Sequence, residues 1–278
     1  MERRLVLSGL LAGLLAGLAA FAYARLVGEP LIDQAIDYES GRAAAEAALS
    51  QAADAAHADG EQLVSRGIQA GAGLAFGLIG YAVALGAVFS VVFAVSLGRV
   101  GRVSPQVLGL LLAGAGFVSL VLVPFLKYPP NPPGVSLEES ARPRGGNYLL
   151  LVIASVALLV LAVWVGRRVT RRSSAANGVL AGAGTWSLGV ILALIAFPSP
   201  GSMTSLGRDS EIPQPLRDPD GTIVFPGFPA DLLYDFRLYS VGLHLIVWAV
   251  LGVGFGLLVK RAVSGGEAPR DLEDVFSS

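Results

Sequence analysis

The sequence predicts an all-α, polytopic transmembrane helix bundle of about six spans with both termini cytoplasmic. Three observations predict it. Apolar residues fill 54% of the 278 positions and charged residues only 15%, against about 25% in an ordinary soluble domain. The charges sit in short clusters separated by long runs without Asp, Glu, Lys or Arg. Such runs have no polar face to offer water and need lipid, or one another, as solvent. Finally, tight Lys/Arg clusters recur in alternate connections, as they do on the cytoplasmic side of multi-span proteins.

A spanning helix needs about 20 mostly apolar residues, and six runs qualify: Leu5–Ala24, Gly67–Leu97, Pro105–Leu126, Tyr148–Gly166, Asn177–Phe197 and Leu238–Val259. Together they make residues 1–263 a transmembrane bundle. Arg3 and Arg4 precede the first span, Arg99 and Arg102 follow the second, Arg167, Arg168, Arg171 and Arg172 follow the fourth, and Lys260 and Arg261 follow the sixth. Six spans place all four clusters on one side and leave the other side with an excess of carboxylates. On that outer side residues 28–66 form an acidic, Ala-rich loop in which Arg42–Ala58 reads as a short helix. Residues 198–237, rich in Pro and Gly, read as an irregular outer loop, and residues 264–278 as a polar cytoplasmic tail. Four prolines between Pro129 and Pro133 forbid a helix there and predict a rigid extended turn, with the Lys127 ammonium reaching outward to the interface.

The first run also has the look of a signal peptide, with a basic start and a small-residue site at Ala22-Tyr23-Ala24. Its apolar length of about 20 exceeds the usual 7–15 residues of such segments, and its glycines favour retention. Gly9, Gly13 and Gly17 line one face; Gly67 with Gly71, Gly73 with Gly77, Gly178 with Gly182, and Gly252 with Gly256 repeat the spacing. Small residues four apart let helix backbones approach closely in lipid. The faces fit a compact bundle or a packing surface for another subunit, and a homo-oligomer is left open.

Several functions are excluded. With no cysteine there are no disulfides, thiol nucleophiles, thiolate metal sites or iron–sulfur clusters. Lys occurs only at 127 and 260, neither in a phosphate-binding glycine loop, and neither His-Glu-x-x-His nor Gly-x-Ser-x-Gly occurs. The chain is not expected to be an enzyme, to carry a resident cofactor, or, at a formal charge of −1, to bind nucleic acid.

The candidate ligands are few. His244 is the one titratable side chain well inside a span, about six residues from its outer end, and an intramembrane ionisable group is a functional candidate; a neutral imidazole bonded to a neighbouring helix is the equal alternative. His57 lies in Asp54-Ala-Ala-His57-Ala-Asp59-Gly-Glu61, a donor set suited to a divalent first-row metal, though a solvated acidic loop reads more simply. Glu29, Asp33 and Asp37 recur every four residues after the first span, and Asp231 and Asp235 repeat the spacing before the sixth. Carboxylates so placed could gather cations at a pore mouth or merely cap the outer surface.

Four strings carry a family resemblance: Gly28-Glu29-Pro30-Leu31-Ile32-Asp33; Val64-Ser65-Arg66-Gly67; Val123-Pro124-Phe125-Leu126-Lys127-Tyr128-Pro129-Pro130-Asn131-Pro132-Pro133; and Gly227-Phe228-Pro229-Ala230-Asp231-Leu232-Leu233 with Phe236-Arg237-Leu238. With them the chain resembles, over nearly its whole length, the CbtA family of proposed cobalt transporter subunits. The resemblance implies a subunit of a cobalt uptake system serving cobalamin synthesis, in the bacterial inner membrane. It implies cobalt as the transported ion, and a small single-span, His-containing CbtB-like partner. Residues 198–225 have no counterpart in that pattern. A scaffold that assembles another transporter without carrying ions is the alternative, favoured by the scarcity of polar groups in the spans.

Overall fold

The computed structural model describes residues 2–50, 66–100, 103–135, 138–203 and 211–264. Six helices among them are long and apolar enough to cross a membrane: Arg3–Ser50, Arg66–Ser96, Pro105–Lys127, Ala141–Thr170, Ala175–Ala196 and Ala230–Lys260. The chain divides into two compact units. One comprises Met1–Arg25, Arg66–Gly116 and Leu243–Ser278; the other comprises Leu26–Ser65 and Phe117–Gly242.

The first unit is built on α1 (Glu2–Tyr23) lying along α4 (Leu74–Ser96). A short helix α3 (Arg66–Ile68) and a π turn (Gln69–Gly73) lead into α4. The glycine face of α1 makes this contact. A Cβ added at Gly9 would land on the backbone of Gly86, one at Gly13 on that of Ala82, and one at Gly17 on that of Ile79. Each of these glycines is followed three residues on by a fully buried alanine: Ala12, Ala16 and Ala20. Lipid offers no hydrophobic drive for helix association, so contact at backbone distance, with its dispersion gain, holds the pair. In the same unit α5 (Pro105–Phe117) meets the second half of α9 (Ala230–Ser264), where a Cβ at Gly252 would press on Ala113. Phe255 presents its ring to Phe89 and Phe93 at centroid separations of 5.2 and 4.9 Å. The Gly67, Gly71 and Gly77 positions have no neighbour within 4 Å of an added Cβ among the described residues, so that stripe is not a packing face here.

In the second unit the chain leaves α1 through a π turn (Ala24–Gly28) and continues directly as α2 (Glu29–Ser50). This corrects the reading of residues 28–66 as a loop whose helix starts at Arg42: the described part is helical from Glu29. An Ala-rich, weakly apolar segment is marginal as an isolated helix. Here Ala35 and Tyr38 are buried in a cluster with Val135, Phe228, Leu232 and Leu233, contributed by two distant segments. α5 passes through a π turn (Val118–Leu122) into α6 (Val123–Lys127), and the chain then leaves the helix at Tyr128. α7 (Glu138–Thr170) and α8 (Ala175–Ala196) form an antiparallel hairpin. Gly166, Gly178 and Gly182 let these two backbones approach, and Ser174 caps α8 by accepting from Asn177 N at 3.2 Å.

Two further expectations are corrected. The connection after α8 is not wholly irregular: β1 (Leu216–Arg217) pairs antiparallel with β2 (Ile223–Phe225), and α9 begins at Ala230 rather than at Leu238. At the end of α6 the Lys127 Nζ donates to Leu194 O at 2.9 Å. An ammonium there satisfies a carbonyl in the last turn of α8, where the helix dipole favours positive charge.

Candidate functional site

The carboxylates singled out in the sequence are only partly brought together. Asp231 and Asp235 stand one turn apart near the start of α9, and both line an open pocket of about 390 Å³. The other walls are Leu31, Gln34 and Asp37 of α2 together with Pro229 and Leu232. α2 therefore contributes Asp37 to this pocket, and not Glu29 or Asp33. The cause is helical phase: positions four apart drift by about 40° per step, so residues 29 and 37 differ by about 80° around the helix. Glu29 is only 3% exposed whereas Asp33 is exposed. Asp231 also accepts from Leu232 N at 2.9 Å, which suits a carboxylate in a helix's first turn. Among the described residues no three His, Asp or Glu side chains lie close enough to hold one metal ion. The pocket can attract a hydrated cation but offers no ready chelating set.

His244 is half-buried in the part of α9 that belongs to the first unit. His57, with its neighbours Asp54, Asp59 and Glu61, lies outside the described residues.

Sequence reasoning missed the most polar feature of the second unit. Glu211, 7% exposed, accepts through Oε2 from Arg144 Nη1 and, at 3.2 Å, from Asn131 Nδ2. Asn131 Oδ1 in turn accepts from Arg237 Nη2 at 3.0 Å, and Arg144 Nη2 donates to Pro129 O. One guanidinium thus bonds the carboxylate directly and a second is linked to it through Asn131. Beside them Tyr128 donates to Pro198 O at 2.8 Å; burial pushes its phenol above the usual tyrosine range, partly offset by the nearby Arg144 charge. Deeper among the helices, Ser119 Oγ, Ser155 Oγ and Trp186 Nε1 are buried without a hydrogen-bond partner in the protein. Ser119 sits inside the π turn Val118–Leu122, a type of distortion frequent at functional sites.

Three of the four strings quoted above, all but Val64–Gly67, come together in this unit. Gly28 lies so close under Tyr239 that a Cβ would enter the ring; Pro129 and Asn131 hold Arg144, Glu211 and Arg237; and Phe228, Leu232 and Leu233 pack on α2. No curated protein and no solved structure matches the chain. The family model described as "Probable cobalt transporter subunit (CbtA)" matches residues 2–260, and the chain accordingly belongs to the CbtA family.

Proposed function

We propose that this chain is the multi-span subunit of an uptake transporter for a divalent metal, cobalt, in the bacterial inner membrane, feeding cobalamin synthesis. Both termini face the cytoplasm, and a small single-span, His-containing CbtB-like subunit is its partner. Membership of a transporter-subunit family supports this reading. The observation that carries it further is the pocket into which Asp37, Asp231 and Asp235 converge. Three carboxylates around one opening raise the local cation concentration. Their spacing, too wide to chelate, lets a hydrated ion leave again. His244 follows Asp235 by nine residues in the sequence. A neutral imidazole there would be the intramembrane stop for Co²⁺, binding it without trapping it. The chain has no cofactor in this scheme and no catalytic role. Glu29, Asp33 and His57 stand as secondary candidates.

Cobalt uptake by cells expressing the chain with its partner tests the proposal. Asp231→Asn with Asp235→Asn should lower uptake at limiting cobalt by about tenfold, through the lost local concentration, and His244→Ala should reduce it at unchanged protein level. Normal uptake by both variants would remove the pathway. Reporter fusions after Arg102 and Arg172 should read cytoplasm, and fusions within residues 40–60 and 205–225 the outside; an external signal at Arg172 would invert the topology.

A non-transporting scaffold is the second reading, favoured by the absence of a three-residue metal cluster among the described residues. Purified chain in liposomes separates the two: cobalt entry with the partner present and none with the partner alone supports transport by this chain.

A further inference from the structure

We propose that Arg144, Arg237 and Asn131 form a carboxylate receptor in which Glu211 sits as a displaceable internal ligand, so that residues 211–229 are a releasable strap over α2. The strap has two anchors. At its start Glu211 enters the receptor. Along its length it is held by α2: Arg42 Nη1 donates to Gln214 O at 2.8 Å, Tyr38 Oη donates to Pro226 O at 3.1 Å, and the rings of Phe225 and Phe228 stand 5.3 and 4.8 Å from that of Tyr38. Gly41 lets the Phe225 ring lie against the helix, since an added Cβ would stand 3.1 Å from it. Between the anchors the hairpin buries little: Ile223 is 52% and Val224 41% exposed.

Three features make the first anchor reversible. All the carboxylate's bonds fall on Oε2, while Oε1 is buried without a partner, so half of its acceptor capacity is desolvated and unused. The receptor carries two guanidiniums for one carboxylate, and Arg237 Nε is likewise buried without a bond. Buried ion pairs return little net stability even when fully satisfied, because desolvation offsets their attraction; this one is only partly satisfied. Release of Glu211 returns a carboxylate to water but leaves the guanidiniums uncompensated, a cost that a second carboxylate entering the receptor removes. A competing carboxylate shifts the strap by its preference for the open state.

Trypsin digestion of the full-length chain in detergent, with cleavage after the exposed Arg217 followed by mass, tests the proposal. Cleavage of a transiently opened segment tracks the population of the open form. Glu211→Gln should speed that cleavage about tenfold, whereas Asp220→Asn, on the same strap but away from the receptor, should leave it unchanged. Tyr38→Phe, which removes the hydroxyl bond to Pro226 and keeps the ring, should speed it about threefold and serves if the Glu211 variant does not accumulate. An unchanged rate in Glu211→Gln, or an equal rise in Asp220→Asn, overturns the proposal; so does an unchanged rate in Tyr38→Phe should that variant alone be measurable.

Discussion

In the first unit, α1 and α4 are held together by what their surfaces lack. Gly9, Gly13 and Gly17 leave room for the backbone of the other helix. In the second unit, α2 and its strap are held by what their surfaces carry: a tyrosine between two phenylalanines, an arginine on a carbonyl, and a carboxylate on a guanidinium. The first arrangement suits an apolar medium, where close packing is the available source of affinity. It has one solution and tolerates no added atom. The second suits a wetter setting, where each bond exchanges with water and its net worth is small. Sites that change state are drawn from the second kind, and rigid supports from the first.

The contrast can be broken most severely at α1. Gly13→Val places a side chain on the Ala82 backbone and should cost about 3 kcal/mol or more, seen as loss of folded protein in a thermal unfolding assay. Gly77→Val, which meets open space, should stay within about 0.5 kcal/mol. Equal effects would show that the α1–α4 approach does not hold the unit. In the second unit Tyr38→Ala removes the ring between Phe225 and Phe228 and should cost about 2–3 kcal/mol, mostly as local exposure of α2 measured by hydrogen exchange, with α7 and α8 unaffected. Ser174→Ala, which deletes the cap of α8, should lower stability by about 1 kcal/mol. The smallest effect is on pH dependence. With the Tyr128 phenol raised by burial, its contribution is fully present below the unfolded value of about 10 and is lost as pH rises through the folded value. Tyr128→Phe should flatten that alkaline decline in unfolding temperature, and a decline of unchanged slope would assign it elsewhere.

Six membrane-length helices were legible because length and lack of charge are local properties, readable one segment at a time. The glycine face of α1 was legible too, through its four-residue spacing. The extension of α2 was not: Glu29–Ser50 is helical where nothing apolar runs long enough to announce a span, and Tyr38 is buried by residues about 190 positions away. The acidic pocket was half visible. Asp231 and Asp235 were found by spacing, but which carboxylate of α2 joins them depends on the phase in which α2 leaves its π turn. The Glu211 cluster was invisible, since Glu211 lies in a stretch without pattern, 67 positions from Arg144 and 80 from Asn131. Buried polar partners that far apart leave no periodic trace.

The π turns have a consequence for reading frames. Each carries a surplus residue relative to an α-helical path, so everything beyond Val118–Leu122 is rotated against the phase set by Pro105–Phe117. Removing one residue from that turn would restore an even helix and swing Lys127 by about 100°, carrying its ammonium off the Leu194 carbonyl. A one-residue deletion there would thus act as a rotation, leaving every side chain intact and misdirecting the whole Lys-Tyr-Pro-Pro-Asn corner.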